Sequence, residues 1–303
     1  MKKLLTLASI LVLASLVLTA CGGGGGSTAS DLLGAIQERG YILVSTDPNY
    51  APQSFLNTEG SRPSDTKCPG DALTTTEMQG FDVDVAIAIG DSLGVETCFA
   101  TPSWDAITAG NWADKWDVSV GSMTINTARQ QVLDFSVPYY YTPAVVAVSA
   151  DSGISSLDGL SGQAVCAGAA TTYEAWLNND AEGLGLPESS IYSPVPADVT
   201  VVPLETDQEC AQSIASGRTD FVAYVTSETV VNANIAEGMP VTKLDGAVFS
   251  EDLAAAFDKS STLDATSLRA KVDELFTAMH SDGRLADLST KWFEVDLTAA
   301  PNK

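Results

Sequence analysis

Short apolar runs of strand length alternate with helical periodicities in this chain, and the alternation starts afresh about halfway along. Tyr41-Ile42-Leu43-Val44-Ser45 reads as a buried strand, ended by the turn signal Asp47-Pro48. Phe81, Val85, Ile89 and Leu93 then recur every four residues with Asp82, Asp84 and Asp91 on other faces, which predicts a helix stopped by Gly94. Residues 116–120 read as a strand, 128–132 as a short helix and 144–149 as another strand. The pattern restarts at Gln163-Ala164-Val165-Cys166, followed by helices near 172–178 and 210–216 and a strand at 221–225. A strand at 253–257 and a helix with Leu268, Val272, Leu275, Phe276 and Met279 along one face close the chain. Two such units predict an α/β fold of mainly parallel sheets flanked by helices. The length of 303 residues suits two domains.

Charge narrows the function. With 15 Lys and Arg against 39 Asp and Glu, the chain carries a formal charge of −24 and lacks the basic stripe that nucleic acid requires. His280 is the one histidine, so histidine-rich zinc sites and most nucleophile-plus-imidazole sites are not expected, and no metal or cofactor is assigned. At the start, Met1-Lys2-Lys3 and an apolar stretch over 4–17 read as a signal peptide covering residues 1–20, with an apolar core too short to be a comfortable membrane span. Leu18-Thr19-Ala20-Cys21 resembles a bacterial lipoprotein box, which implies cleavage before Cys21 and lipid on its thiol. Glycine, serine and threonine then make residues 21–30 a flexible tether. Cys68, Cys98, Cys166 and Cys210 remain, an even number in an exported chain where disulfides persist. Three pairings are open, and a zinc site is the weaker alternative because no spacing is Cys-x-x-Cys.

Four segments in order carry a family resemblance. They are Thr46-Asp47-Pro48-Asn49-Tyr50-Ala51-Pro52; Gly80 through Ala86; Ser122-Met123-Thr124-Ile125-Asn126-Thr127-Ala128-Arg129 running on to Leu133 through Tyr140; and Asp282-Gly283 with Lys291-Trp292-Phe293. From about Asp31 to Leu297 the chain resembles the type II periplasmic binding proteins, in particular the polar amino-acid-binding family of ABC importers. The resemblance implies two lobes joined by two crossing strands near Tyr141 and Leu253. Lobe 1 is then residues 31–141 plus 254–303, and lobe 2 residues 142–253. A bridge between lobes would oppose hinge closure, so Cys68 is expected to pair with Cys98 and Cys166 with Cys210.

The same resemblance places a ligand site. Arg129 offers a planar fork that matches a carboxylate, and Asn126 or Thr127 can cap the short helix that carries it. By resemblance Arg129 holds the ligand carboxylate, with Ser122 and Thr124 adding hydroxyl or backbone contacts. Thr171 and Thr172 approach from the second lobe, where Thr171-Thr172-Tyr173-Glu174 also has the form of a capping box. Tyr50 and Trp104 flank the solute as flat apolar faces, and Asp47 touches its side chain. Relatives carry Ala170's position as glycine. They also carry an aspartate five residues after the acid of Gly217-Arg218-Thr219-Asp220, which pairs with an α-ammonium; here that position is Val225. Thr226, Glu228 or Asp47 are the substitutes, or the solute lacks an α-ammonium.

The reading that follows is a lipid-anchored solute-binding protein at the outer face of the cell membrane. It delivers a small carboxylate-bearing solute, foremost an amino acid, to the permease and ATPase subunits of an ABC importer. The alternatives are a dehydratase-like enzyme on this fold, with Glu174 or Glu228 as general acid, and a binding protein feeding a membrane sensor.

Overall fold

The computed structural model describes residues 29–301, so the expected signal peptide, Cys21 and most of the tether lie outside the described residues. Its main sheet is two parallel halves joined by two long antiparallel strands. In the first half Tyr41–Ser45 pairs parallel with Glu96–Ala100 and with Val118–Thr124. In the second, Ala164–Gly168 pairs parallel with Thr200–Leu204 and with Ala223–Ser227. Between them Tyr140–Ser149 and Phe249–Asp258 run antiparallel, with Leu253 opposite Tyr140 and Phe249 opposite Ala144. The remainder of Tyr140–Ser149 pairs into the second half, and the remainder of Phe249–Asp258 into the first. The chain thus crosses between halves twice, through these two strands.

Each half has its own apolar interior. One core gathers Ile42, Val44, Phe81, Val85, Ile89, Tyr139 and Tyr140 with Leu253, Leu268, Val272 and Phe276. Another gathers Val146, Val148, Val165, Tyr173, Trp176, Val225 and Phe249. The fourfold periodicity behind the first core gives the helix Phe81–Leu93, which buries Phe81, Val85 and Ile89 and ends at Gly94 in the left-handed conformation that glycine supplies. At its other end Gly80 is obligatory for space, because a Cβ there would stand 2.2 Å from the Gln53 carbonyl oxygen. The sequence motifs from opposite ends of the chain meet on this helix. Trp292 Nε1 and Lys291 Nζ both donate to Asp84 at 2.7 Å, and the Phe293 ring lies 4.7 Å from that of Phe81.

The helix expected over 128–132 is a single 3₁₀ turn, Arg129–Gln131, because the strand Leu133–Phe135 starts two residues later and leaves room for one turn. Asn126, not Thr127, caps it by accepting from the Arg129 N–H at 2.7 Å. The cysteines pair as Cys68–Cys98 and Cys166–Cys210, each bridge within one half. Closing loops of 30 and 44 residues removes freedom from the unfolded chain equivalent to about 4 kcal/mol each.

One buried carboxylate fixes the sheet edge that later forms the cleft floor. Asp82, fully buried, accepts from Ser122 Oγ and from Tyr139 OH, both at 2.7 Å. Tyr139 OH in turn accepts from the Ser122 N–H at 3.0 Å, and Ser122 Oγ, its proton given to Asp82, accepts from Tyr140 OH at 2.6 Å. Ser122 sits at φ +54°, a left-handed position that costs a non-glycine residue energy, and these bonds hold it there. Burial pushes the Asp82 carboxyl up to about 7. Between its ordinary value and about 7 the native state therefore binds a proton that the unfolded chain has released, so stability falls as pH rises through that window. The melting temperature of the unliganded protein should rise on going from about pH 8 to about pH 6, and Asp82→Asn should shrink that rise. An identical rise in both proteins contradicts the assignment.

Candidate functional site

Between the halves lies a cleft of about 460 Å³, counting the space open to solvent. All eight expected binding residues line it. Asp47 and Tyr50 follow the first strand, and Trp104 opens the short helix Trp104–Thr108. Ser122 and Thr124 come from the strand end, Arg129 from the 3₁₀ turn, and Thr171 and Thr172 from the second half. Sequence reasoning missed five further polar lining residues: Tyr173, Glu205, Thr206, Asp207 and Glu251.

Arg129 is 7% exposed. Its guanidinium donates to two backbone carbonyls, Thr124 at 3.2 Å and Ala170 at 3.3 Å, one from each half. The Trp104 ring lies beneath it, 5.4 Å from Cζ to centroid. Burial lowers the guanidinium to about 10, opposed by the negative charge of Glu251, so it remains a cation at neutral pH. No carboxylate oxygen is within 4.0 Å of it among the described residues. A fork with donors to spare facing a cleft is the geometry that accepts a carboxylate from outside.

Glu251 lies in the crossing strand Phe249–Asp258 and is 1% exposed. Its Oε1 accepts from Thr124 Oγ1 at 2.6 Å and Thr172 Oγ1 at 2.7 Å, and its Oε2 from Tyr173 OH at 2.8 Å. Hydroxyls expected on sequence grounds to face a ligand carboxylate thus donate to this protein carboxylate. Burial raises the Glu251 carboxyl, while the three hydroxyls and Arg129 act the other way.

The second missed acid explains the missing one. Val225 is fully buried in the second half's core, so its position carries no carboxylate to the cleft. The neighbouring Thr226 donates instead to Asp207 Oδ2 at 2.8 Å, and the Gly168 N–H donates to Asp207 Oδ1 at 2.7 Å. Gly168 is needed for that approach, since a Cβ would stand 2.7 Å from the same oxygen. Burial pushes Asp207 up to about 7, with the Thr226 and Gly168 hydrogen bonds opposing. Glu228, a suggested substitute, pairs with Lys243 Nζ at 2.5 Å and does not line the cleft. Glu174 is likewise absent from the lining and accepts from the Ala170 N–H at 2.7 Å.

Asp47 does two things. Its Oδ1 accepts from the Asn49 N–H at 2.8 Å, the turn chemistry expected before a proline, and it faces the cleft, where burial raises its carboxyl and Glu205 and Glu209 add to the rise. Across the cleft Tyr50 OH lies 3.2 Å from Tyr173 OH, and the Thr127 N–H donates to the Gly185 carbonyl at 3.1 Å. The halves are therefore in contact around the cleft, in a closed arrangement.

Comparison with known proteins gives the same outline. The profile described as bacterial extracellular solute-binding proteins, family 3, matches residues 42–295. The L-cystine-binding protein TcyJ of Escherichia coli (strain K12) is 27% identical over 269 residues, covering 88% of each chain. The octopine-binding periplasmic protein of Rhizobium meliloti is 28% identical, covering 87% of this chain and 93% of its own. Among solved structures, the ancestral amino acid-binding protein AncCDT-1, a precursor of cyclohexadienyl dehydratase, superposes with a TM-score of 0.67 at 27% identity, covering 86% of this chain and 99% of that one.

Ala170, where the resemblance expects glycine, adopts φ +60°. A side chain in that region costs about 1–2 kcal/mol, while glycine adds about 0.5–1 kcal/mol of unfolded-state freedom. Ala170→Gly should therefore stabilise the unliganded protein by up to about 1 kcal/mol; chemical denaturation showing a loss of stability contradicts this account of the turn.

Proposed function

This chain belongs to the bacterial extracellular solute-binding proteins of family 3, and from that membership we propose that it captures an amino acid in the cleft and hands it to an ABC importer. The observation that carries the reading is Arg129, buried at the cleft, cationic, and bonded to carbonyls rather than to a protein carboxylate. The solute's carboxylate takes the guanidinium, and Asp207 takes the ammonium that the strand position of Val225 leaves without a partner. Tyr50 and Trp104 cover the apolar part of the solute, and Asp47 lies at its side chain. Ser122 and Thr171 shape the wall on either side. Thr124 and Thr172 contribute backbone, or oxygen lone pairs, because their protons go to Glu251.

We divide the chain into lobe 1, residues 31–141 plus 254–303, and lobe 2, residues 142–253, with closure about the two crossing strands as the working event. Donors and acceptors on both lobes give the solute a higher affinity for the closed form, which is what shifts the equilibrium. Lipid on Cys21 and the tether of residues 21–30 hold the domain at the outer face of the membrane, within reach of the permease and ATPase subunits. Turnover is not part of the reading, because TcyJ and the octopine-binding protein are binding proteins.

A thermal-shift screen over amino acids and small carboxylates identifies the solute, since ligand at about 100 times Kd adds about 2.7 kcal/mol of stability. With that solute, Arg129→Ala should weaken binding at least about tenfold by calorimetry, the loss of a buried charge-assisted pair, while the variant stays folded. Equal affinity in variant and wild type removes the carboxylate assignment.

A further inference from the structure

The hydroxyl protons around Glu251 bear on which amino acid the cleft prefers, given the amino-acid reading above on which this inference rests. A hydroxyl has one proton and two lone pairs, and a carboxylate only accepts. Glu251 is 1% exposed and takes the protons of Thr124, Thr172 and Tyr173. The three residues line the cleft; what the Thr124 and Thr172 hydroxyls have left to offer a solute is acceptor capacity, while Tyr173 OH, its proton given to Glu251, accepts from Tyr50 OH at 3.2 Å. Among the residues lining the same space Arg129 is the one cation, set against the carboxylates of Asp47, Glu205, Asp207 and Glu251. A zwitterionic amino acid with a neutral side chain pairs with Arg129 and one acid, and leaves the other acids and the two threonine hydroxyl oxygens facing a side chain that cannot donate strongly.

We propose that Glu251 is a specificity-determining residue, and that by drawing the hydroxyl protons of Thr124, Thr172 and Tyr173 to itself it makes the cleft select an amino acid with a second, cationic group in its side chain. The placement of the acids agrees. Asp47 belongs to the segment after the first strand, whereas Glu205 and Asp207 belong to the second half, so closing the cleft brings like charges together. A cation between them removes that repulsion and makes closure depend on it. Glu251 itself need not touch the cationic group, because its effect on the cleft runs through the orientation of the three hydroxyls and through its charge.

The test compares ligands that differ in charge but little in shape. L-arginine and L-citrulline differ by one amidinium nitrogen replaced by oxygen, and L-lysine and L-norleucine differ by the terminal ammonium. Calorimetry on the wild-type protein should show at least about tenfold tighter binding for the cationic member of at least one pair. In Glu251→Gln that preference should shrink several-fold, because the amide donates from one side and reorients a hydroxyl. Thr172→Val, which keeps Glu251 and the side-chain volume, should weaken the cationic ligand more than its neutral partner. Equal or tighter binding of the neutral member of both pairs overturns the inference while leaving the amino-acid reading intact, and so does undiminished preference in either folded variant. Binding of none of the four, nor of any other amino acid in a screen, overturns both together.

Discussion

Burying a guanidinium away from any protein carboxylate is costly, and the architecture around Arg129 is arranged to bear that cost until a solute arrives. Two carbonyls, one from each half, take two of its donors, and the Trp104 face takes part of the charge. Glu251 lowers the potential nearby without closing a salt bridge. An arginine fully paired within the protein would gain little from a ligand carboxylate. One left in bulk water would hold it weakly, because charge pairs in high dielectric contribute little. The intermediate condition seen here favours capture.

The crossing strands supply the geometry that makes this condition possible. Tyr140–Ser149 and Phe249–Asp258 pair with each other and then each with a different half, so the two parallel sheets present the ends of their strands to one shared cleft, where ligand sites in open α/β sheets fall. Glu251 sits within this connection and binds hydroxyls from both halves, Thr124 from one and Thr172 and Tyr173 from the other. The floor is held from below by Asp82, which spends a buried carboxylate on keeping Ser122 at a positive φ. Each disulfide lies within a half, so neither bridge opposes motion about the crossing strands.

Most of the elements were legible because their signals are local and periodic. The four-residue spacing from Phe81 to Leu93 and the glycine after it encode a helix whatever surrounds them, and Arg129 stood out through the motif that precedes it. The misses have a different character. Asp207 opens a helix just after Thr206, where an acid reads as ordinary first-turn chemistry, and only the Gly168 approach in space turns it toward the cleft. Glu251 stands in a strand that also carries Ser250, Asp252 and Asp258, so its charge reads as one of several and no local signal singles it out. The hydrogen bonds that Thr124 and Thr172 give to Glu251 were not legible either, since that partner lies 127 and 79 residues away.

A crystal structure of the protein with the solute that its thermal-shift screen selects tests the central claim most directly. The account predicts the solute enclosed between the halves, its carboxylate in two hydrogen bonds with the Arg129 guanidinium and its α-ammonium against Asp207. A solute whose carboxylate lies away from Arg129, or one bound outside the cleft with Arg129 still facing only the Thr124 and Ala170 carbonyls, would contradict it.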